Sequence, residues 1–280
     1  MIREIFKRLQ AHYPTDHAQT IGWWLVEAAT HKSKLDLITQ KHQLSNEQSK
    51  TLTKWVDEHI NEHKPLQYIL GAVPFGPLTI EVSPPTLIPR PETETWCAQV
   101  IKNLAPLKNK RFNILDMCTG SGCIGLWLAK EFPKAHVYAV DIAKSALDCA
   151  QKNAQKHTLN NVTFIQSDLF KSVPEKLTFD VVISNPPYVT DKEWLTLEPT
   201  VTVWEDKHAL VANNEGLELI ERIIKNSRTH IKPGSSLLIE IGYLQGQRVK
   251  DLFEKYNFEQ VNIIQDDAKR DRLVVGVYNC

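Results

Sequence analysis

Asn185, Pro186, Pro187 and Tyr188 are the residues of this 280-residue chain best suited by type and spacing to do chemistry. They follow Phe179-Asp180-Val181-Val182-Ile183-Ser184, an apolar run that reads as a buried parallel strand. Two prolines in a row bring no backbone N–H, so the turn accepts hydrogen bonds and hardly donates them. The Asn185 side chain adds a carbonyl acceptor, and Tyr188 adds a flat aromatic face. Such a turn suits a planar NH2 group, whose two hydrogens need acceptors and whose plane needs a stacking partner. Side-chain amides and the exocyclic amine of adenine are groups of this kind.

A second constellation lies upstream. Cys118-Thr119-Gly120-Ser121-Gly122 leave another predicted strand, and a glycine turn there lets the backbone approach a ligand at a helix N-terminus. Gly120, Gly122 and Gly125 also match the G-x-G-x-x-G dinucleotide fingerprint, so NAD has to be weighed. Asp141 closes the next strand about 20 residues further on, where a carboxylate accepts both hydroxyls of a ribose. Each such charge-assisted bond contributes about 1.5–3 kcal/mol. Asp168-Leu169 close the third strand and place Asp168 to accept the amino group of an adenine. Taken singly, Asp141 and Asp168 also read as helix N-caps. Taken together at three strand ends, they point to an adenosine-bearing cofactor, S-adenosylmethionine or NAD. The Asn185 turn separates the two: hydride transfer has no use for it, whereas methyl transfer to a planar nitrogen does.

The elements that must position these residues alternate. Strands are predicted at Phe112–Met117, His136–Asp141, Val162–Ser167, Phe179–Ser184, Ser236–Ile241, Phe258–Gln265 and Arg272–Tyr278, with helical patterns between most of them. Asp266–Asp271 is too short for a crossover helix, so the last two strands pair antiparallel. The expected fold is α/β: a doubly wound seven-stranded sheet, last strand antiparallel, over 96–280. Residues 1–70 read as a small helical domain for substrate docking. Ile21, Trp24, Leu25 and Ala28 form one stripe, and Leu52, Trp55, Val56, His59 and Ile60 another. A capping box at Ser45–Gln48 opens the second helix and Pro65 stops it. The proline-rich stretch 71–95 reads as a connector with short strands.

Composition narrows the function. Lys+Arg and Asp+Glu both number 33, so the net charge is zero, against a protein that binds by nucleic-acid phosphates. No apolar run approaches the roughly 20 residues that span a membrane, and the N-terminus lacks a secretory h-region. The five cysteines show no metal or disulfide spacing and read as reduced thiols; no metal site is expected. A cytoplasmic location follows, with a mitochondrial one as the alternative.

Four stretches carry a resemblance to the HemK/PrmC class I methyltransferases: Pro65–Gly71, Leu87–Glu94 (Leu-Ile-Pro-Arg-Pro-Glu-Thr-Glu), Leu115–Gly122 and Ser184–Tyr188. Pro-Arg-Pro-Glu-Thr-Glu separates this family from adenine methyltransferases. The chain departs from it at Cys118, where Gly is commoner, and at Trp204-Glu205-Asp206. The resemblance implies an S-adenosylmethionine-dependent enzyme that methylates the side-chain amide of the glutamine in the Gly-Gly-Gln loop of peptide chain release factors. It implies Cys118, Thr119, Gly120, Ser121, Gly122, Asp141, Asp168, Leu169 and Asn185 as cofactor-binding residues. Asn185, Pro186, Pro187 and Tyr188 bind the substrate, with Asn185, Pro186 and Tyr188 catalytic. Glutamine methylation of a ribosomal protein and adenine N6-methylation are the alternatives.

Other candidates read more plainly. His59 and His63 have i, i+4 spacing without a third ligand, so both are expected on the solvated surface, and no histidine is nominated as catalytic. Trp23, Trp24 and Trp55 are expected to pack the helical bundle. Arg90 and Glu92 either close over the ligands or form a structural ion pair.

Overall fold

The computed structural model describes residues 2–39 and 43–279; His42 and Cys280 therefore lie outside the described residues. The chain divides into two compact units, Met1–Ala72 with Glu198–Trp204, and Val73–Leu197 with Glu205–Cys280.

The first unit holds α1 (Ile2–Gln10), α2 (Thr15–Thr30), α3 (Lys34–Thr39), α4 (Asn46–Asn61) and α5 (Leu66–Leu70). Ile5, Leu9, Ile21, Leu25, Leu52 and Val56 are fully buried and form its core. The capping box is present: Ser45 accepts from the Gln48 N–H and the Gln48 side chain from the Ser45 N–H. Helix α4 ends at Asn61, before Pro65, and Pro65 instead caps the start of α5. Two expectations fail. Trp24 is 48% exposed because it falls outside the Ile21–Leu25 stripe, whereas Trp23 and Trp55 pack against the core. His59 is buried, stacked on Tyr13 at 5.4 Å with Nδ1 2.8 Å from the Lys64 carbonyl. Burial lowers its pKa; His63 is exposed. Trp204 belongs to this unit, its indole N–H donating to the Glu62 carbonyl at 2.8 Å.

The second unit opens with a two-stranded ribbon, β1 (Ala72–Phe75) and β2 (Leu78–Glu81), followed by α6 (Pro91–Leu104). Pro91 sits at the first turn of α6, where its missing N–H costs nothing, so Pro91-Glu92-Thr93-Glu94 is helical. The alternation follows: β3 (Asn113–Met117), α7 (Cys123–Glu131), β4 (His136–Asp141), α8 (Lys144–Lys156), β5 (Val162–Gln166) and β6 (Phe179–Ser184). The short helices α9 (Asp191–Trp194) and α10 (Pro199–Thr202) come next, α10 lying in the first unit. Then come α11 (Glu218–Ser227), β7 (Ile231–Glu240), α12 (Gly246–Lys255), β8 (Phe258–Gln265) and β9 (Asp271–Tyr278).

The sheet order is β5-β4-β3-β6-β7-β9-β8, with β9 antiparallel to both neighbours. The doubly wound sheet expected from the sequence is thus present. Strand β7 begins at Ile231, earlier than expected, because Pro233 and Gly234 (φ +79°) sit where the β6–β7 register shifts. Strand order reverses between β3 and β6, the place where ligands bind in such sheets. Register makes the strand ends level there: Met117 pairs with Val140 and Ser184, and Ser184 pairs with Ile239. Cys118, Asp141, Asn185 and Glu240 therefore leave the sheet side by side.

Candidate active site

The glycine loop is shaped by one buried carboxylate. Asp116 is fully buried, and its Oδ2 accepts the Thr119 hydroxyl at 2.5 Å and the Gly125 N–H at 2.9 Å. Burial pushes its pKa up to about 7, against the pull of those two donors. A Cβ on Gly125 would stand 2.7 Å from Asp116 Oδ2, so this glycine serves the close approach of α7 to β3. Cys118, Gly120 and Gly122 all have positive φ (+61°, +57° and +84°). Nothing lies within 4 Å of a Cβ built on Gly120, so the loop faces open space there.

Asp141 braces the same loop. Its Oδ2 accepts the Gly120 N–H and its Oδ1 the Ala143 N–H, both at 2.9 Å. The N-cap of α8 is Ala143, not Asp141. An ionised carboxylate offers about four lone-pair sites, so acceptor capacity remains for hydroxyl donors. Burial raises the Asp141 pKa, opposed by the backbone donors.

A cavity of about 550 Å³ opens over these strand ends. Gly120, Asp141, Leu169 and Pro187 line it, with Cys118 and Asp168. Asp168 accepts from Lys171 at 2.6 Å and Arg222 at 2.8 Å, and the Lys171 bond is the main cause of its lowered pKa. The cavity, the open face of Gly120 and the spare acceptors of Asp141 fit an adenosyl group. Thr119, Ser121 and Gly122 are not among the lining residues. Thr119 serves Asp116, the Ser121 carbonyl accepts from Asn153 at 3.0 Å, and Gly122 packs against Leu126 and Ala150.

Of the turn Asn185–Tyr188 only Pro187 lines this cavity, and the turn is held by hydrogen bonds to neighbouring elements. Ser184 Oγ donates to the Met117 carbonyl at 2.7 Å, joining β6 to β3. Asn185 Nδ2 donates to Thr93 Oγ1 at 3.2 Å. Thr93 Oγ1 and Trp96 Nε1 both donate to Glu240 Oε2 at 2.7 Å, and the Tyr188 hydroxyl donates to Oε1 at 3.0 Å. Burial raises the pKa of Glu240, opposed by these three donors, and raises that of Tyr188 well above its ordinary value. The Tyr188 carbonyl accepts from Gln245 Nε2 at 3.0 Å.

Arg90 forms its ion pair with Glu205 and not with Glu92. Its Nη2 lies 2.7 and 2.9 Å from the two oxygens of Glu205, whose side chain is 1% exposed and also accepts the Ile88 N–H at 3.3 Å. Thr93, Glu240 and Asp116 also shape the site, although the sequence assigns them no role there. Each stands within an otherwise apolar strand or a recognised motif, which was the available signal.

Comparison with known proteins extends these observations. Residues 1–71 match the PrmC N-terminal domain and 98–202 the methyltransferase small domain. A release factor glutamine methyltransferase of Flavobacterium psychrophilum is 36% identical over 276 residues, 97% of this chain and 95% of that protein. This chain belongs to the release factor glutamine methyltransferase family. The namesake enzyme of Thermodesulfovibrio yellowstonii is 32% identical over 86% of each chain. Among solved structures, a methyltransferase from Pyrococcus furiosus has a TM-score of 0.53 at 17% identity, covering 85% of this chain and all of that one. The T. thermophilus 16S rRNA N2 G1207 methyltransferase, in complex with AdoMet and guanosine, has a TM-score of 0.57 at 15% identity. It covers 74% of this chain and 50% of that one. These two share the fold. As in its family, S-adenosylmethionine is the cofactor of this methyltransferase. Among the described residues no helix is long and apolar enough to cross a membrane, and no group of three or more His, Cys, Asp or Glu is gathered to hold a metal.

Proposed function

We propose that this chain methylates the side-chain amide nitrogen, N5, of the glutamine in the Gly-Gly-Gln loop of peptide chain release factors. The observation that carries this reading is the turn Asn185–Tyr188, without a backbone donor at either proline, with Pro187 on the wall of the cavity that Gly120 and Asp141 line. When bound, S-adenosylmethionine supplies an electrophilic sulfonium methyl group. Asp141 holds ribose hydroxyls, the Cys118–Gly122 loop and Leu169 shape the cofactor's bed, and Asp168 takes the adenine end with its charge balanced by Arg222 and Lys171.

An amide nitrogen is a poor nucleophile because its lone pair is delocalised. Asn185 Oδ1 and the Pro186 carbonyl accept its two N–H bonds. They favour the more pyramidal nitrogen of the transition state over the planar ground state. The Tyr188 ring, held by Glu240, packs on the amide plane. Positioning of this kind can supply about 7–11 kcal/mol at best. No general base is needed before transfer, since the amide proton leaves afterwards. Zero net charge supports a protein substrate rather than a nucleic acid, and a substrate from the translation machinery favours a cytoplasmic location.

The test is incubation with methyl-labelled S-adenosylmethionine and a purified release factor, with Gly-Gly-Gln or Gly-Gly-Ala in its loop. Label on the first alone is expected. No label on either, or equal label on both, overturns the reading.

A further inference from the structure

We infer that Thr93 and Glu240 are positioning residues that decide which end of the Asn185 carboxamide faces the substrate. The inference rests on the reading above and deepens it. A carboxamide has two ends of equal size and opposite character, and only the oxygen end can hold an NH2 group. Something must therefore set its orientation.

Proton counting along the chain of contacts sets it. Trp96 Nε1 can only donate, so Glu240 Oε2 accepts from it at 2.7 Å. The Thr93 hydroxyl has one proton, and its short bond to the same oxygen, 2.7 Å, uses it. Thr93 Oγ1 is then left with lone pairs alone towards Asn185. The group 3.2 Å away must be the donor, Nδ2, which turns Oδ1 to the other side. A flipped carboxamide would set two acceptor oxygens against each other. The third donor to Glu240 is the Tyr188 hydroxyl at 3.0 Å, so the same carboxylate fixes the other end of the turn. Backbone register makes this possible: Ser184 pairs with Ile239, which places Glu240 level with Asn185 on the adjacent strand. Thr93 comes from the first turn of α6, so the Pro89–Glu94 stretch acquires a function in the chemistry at Asn185 without touching the substrate.

The test combines structure and rate. In 15N-labelled protein without ligands, the Asn185 Nδ2 protons, assigned by their loss in Asn185→Ala, are expected to show nuclear Overhauser contacts to Thr93. A carboxamide in the opposite orientation, without such contacts, overturns the inference even if Thr93→Val fails to fold. Thr93→Val removes the hydroxyl at constant shape and is expected to slow single-turnover methylation about ten-fold, the worth of one hydrogen bond. Thr93→Ser should restore the rate to within about three-fold, and cofactor affinity by calorimetry should stay constant in both Thr93 variants. In an Asn185→Ala background, Thr93→Val should cause no further fall. The same ten-fold loss in both backgrounds would mean a general structural role and sink the idea. Wild-type protein that labels no release factor would refute the proposed function instead, leaving the Overhauser result to decide the orientation.

Discussion

Asp141 Oδ2 accepts the backbone N–H of Gly120 at 2.9 Å, so the carboxylate that ends β4 also holds the loop that ends β3. One side chain thus shapes the loop and offers the ribose acceptors. Asp141→Ala removes both. The expected result is a cofactor dissociation constant raised at least about 100-fold, on the scale of two charge-assisted bonds. Asp141→Asn keeps one acceptor oxygen and should lose less. Calorimetry on the two variants checks the order, and unchanged affinity in Asp141→Ala would remove Asp141 from the site.

Arg90 and Glu205 join two neighbouring segments that line the cavity. Leu87 and Asp206 both line it, and the ion pair, the Ile88 N–H bond to Glu205 and the Asp206 N–H bond to the Pro85 carbonyl hold their segments together. Burial keeps the Glu205 pKa raised despite Arg90, so the pair specifies geometry more than it adds stability. Arg90→Met leaves a buried carboxylate without its cation and should cost about 3–5 kcal/mol in urea unfolding. Arg90→Met with Glu205→Leu should recover most of that stability while cofactor affinity stays impaired. A double variant no more stable than the single one would contradict this.

The sheet was legible because its strands are apolar runs ended by polar turns: His136–Asp141, Phe179–Ser184 and Phe258–Gln265 fall where expected. The Asn185 turn and the Asp141 carboxylate were legible because strand ends of parallel sheets collect ligands. The Glu240 network was not. It joins Thr93, Asn185 and Tyr188 across intervals of 147, 92 and 52 residues, which no local pattern reports. His59 misled for a related reason. Its i, i+4 relation to His63 is a helical spacing, but α4 ends at Asn61, so only His59 stays on the buried stripe.

Asp116 gives the chain a pH-dependent stability of known sign. Its folded pKa, about 7, lies above its ordinary 3.8 because burial disfavours the charge. Between these values the folded chain keeps a proton that the unfolded chain releases. The contribution of this group is therefore fully present below pH 3.8 and is lost as pH rises towards 7. The loss is on the order of 4 kcal/mol, at 1.36 kcal/mol per pKa unit. Asp116→Asn cannot ionise; it preserves an acceptor for Thr119 and Gly125, and any cost of its buried NH2 is independent of pH. The stability difference between wild type and Asp116→Asn, from urea midpoints at pH 5 and pH 8, should shift towards the variant at the higher pH. A difference that is flat across this range would show that Asp116 is ionised throughout.

Gly216 reports on how firmly the Asn185 turn is held from below. Its φ is +79°, and a Cβ there would lie 2.0 Å from the Tyr188 carbonyl oxygen and 2.6 Å from Gln245 Nε2. Gln245 has no slack to yield. Its Nε2 donates to the carbonyls of Tyr188 and Glu215 at 3.0 and 3.1 Å, and its Oε1 accepts the Gly242 N–H at 2.8 Å. Gly216→Ala must therefore displace backbone at Tyr188, on top of a left-handed conformation that costs a side chain roughly 1–2 kcal/mol. Turnover is expected to fall more than about ten-fold, since a displacement of about 1 Å in a positioned group has consequences of that size or larger. Cofactor affinity should change little, because Gly120 lies in the loop after β3 and Asp141 at the end of β4, away from β6. Stopped-flow methylation with calorimetry on the same preparation separates the two effects. A variant with normal turnover would show that the Tyr188 backbone position is not critical to the reaction.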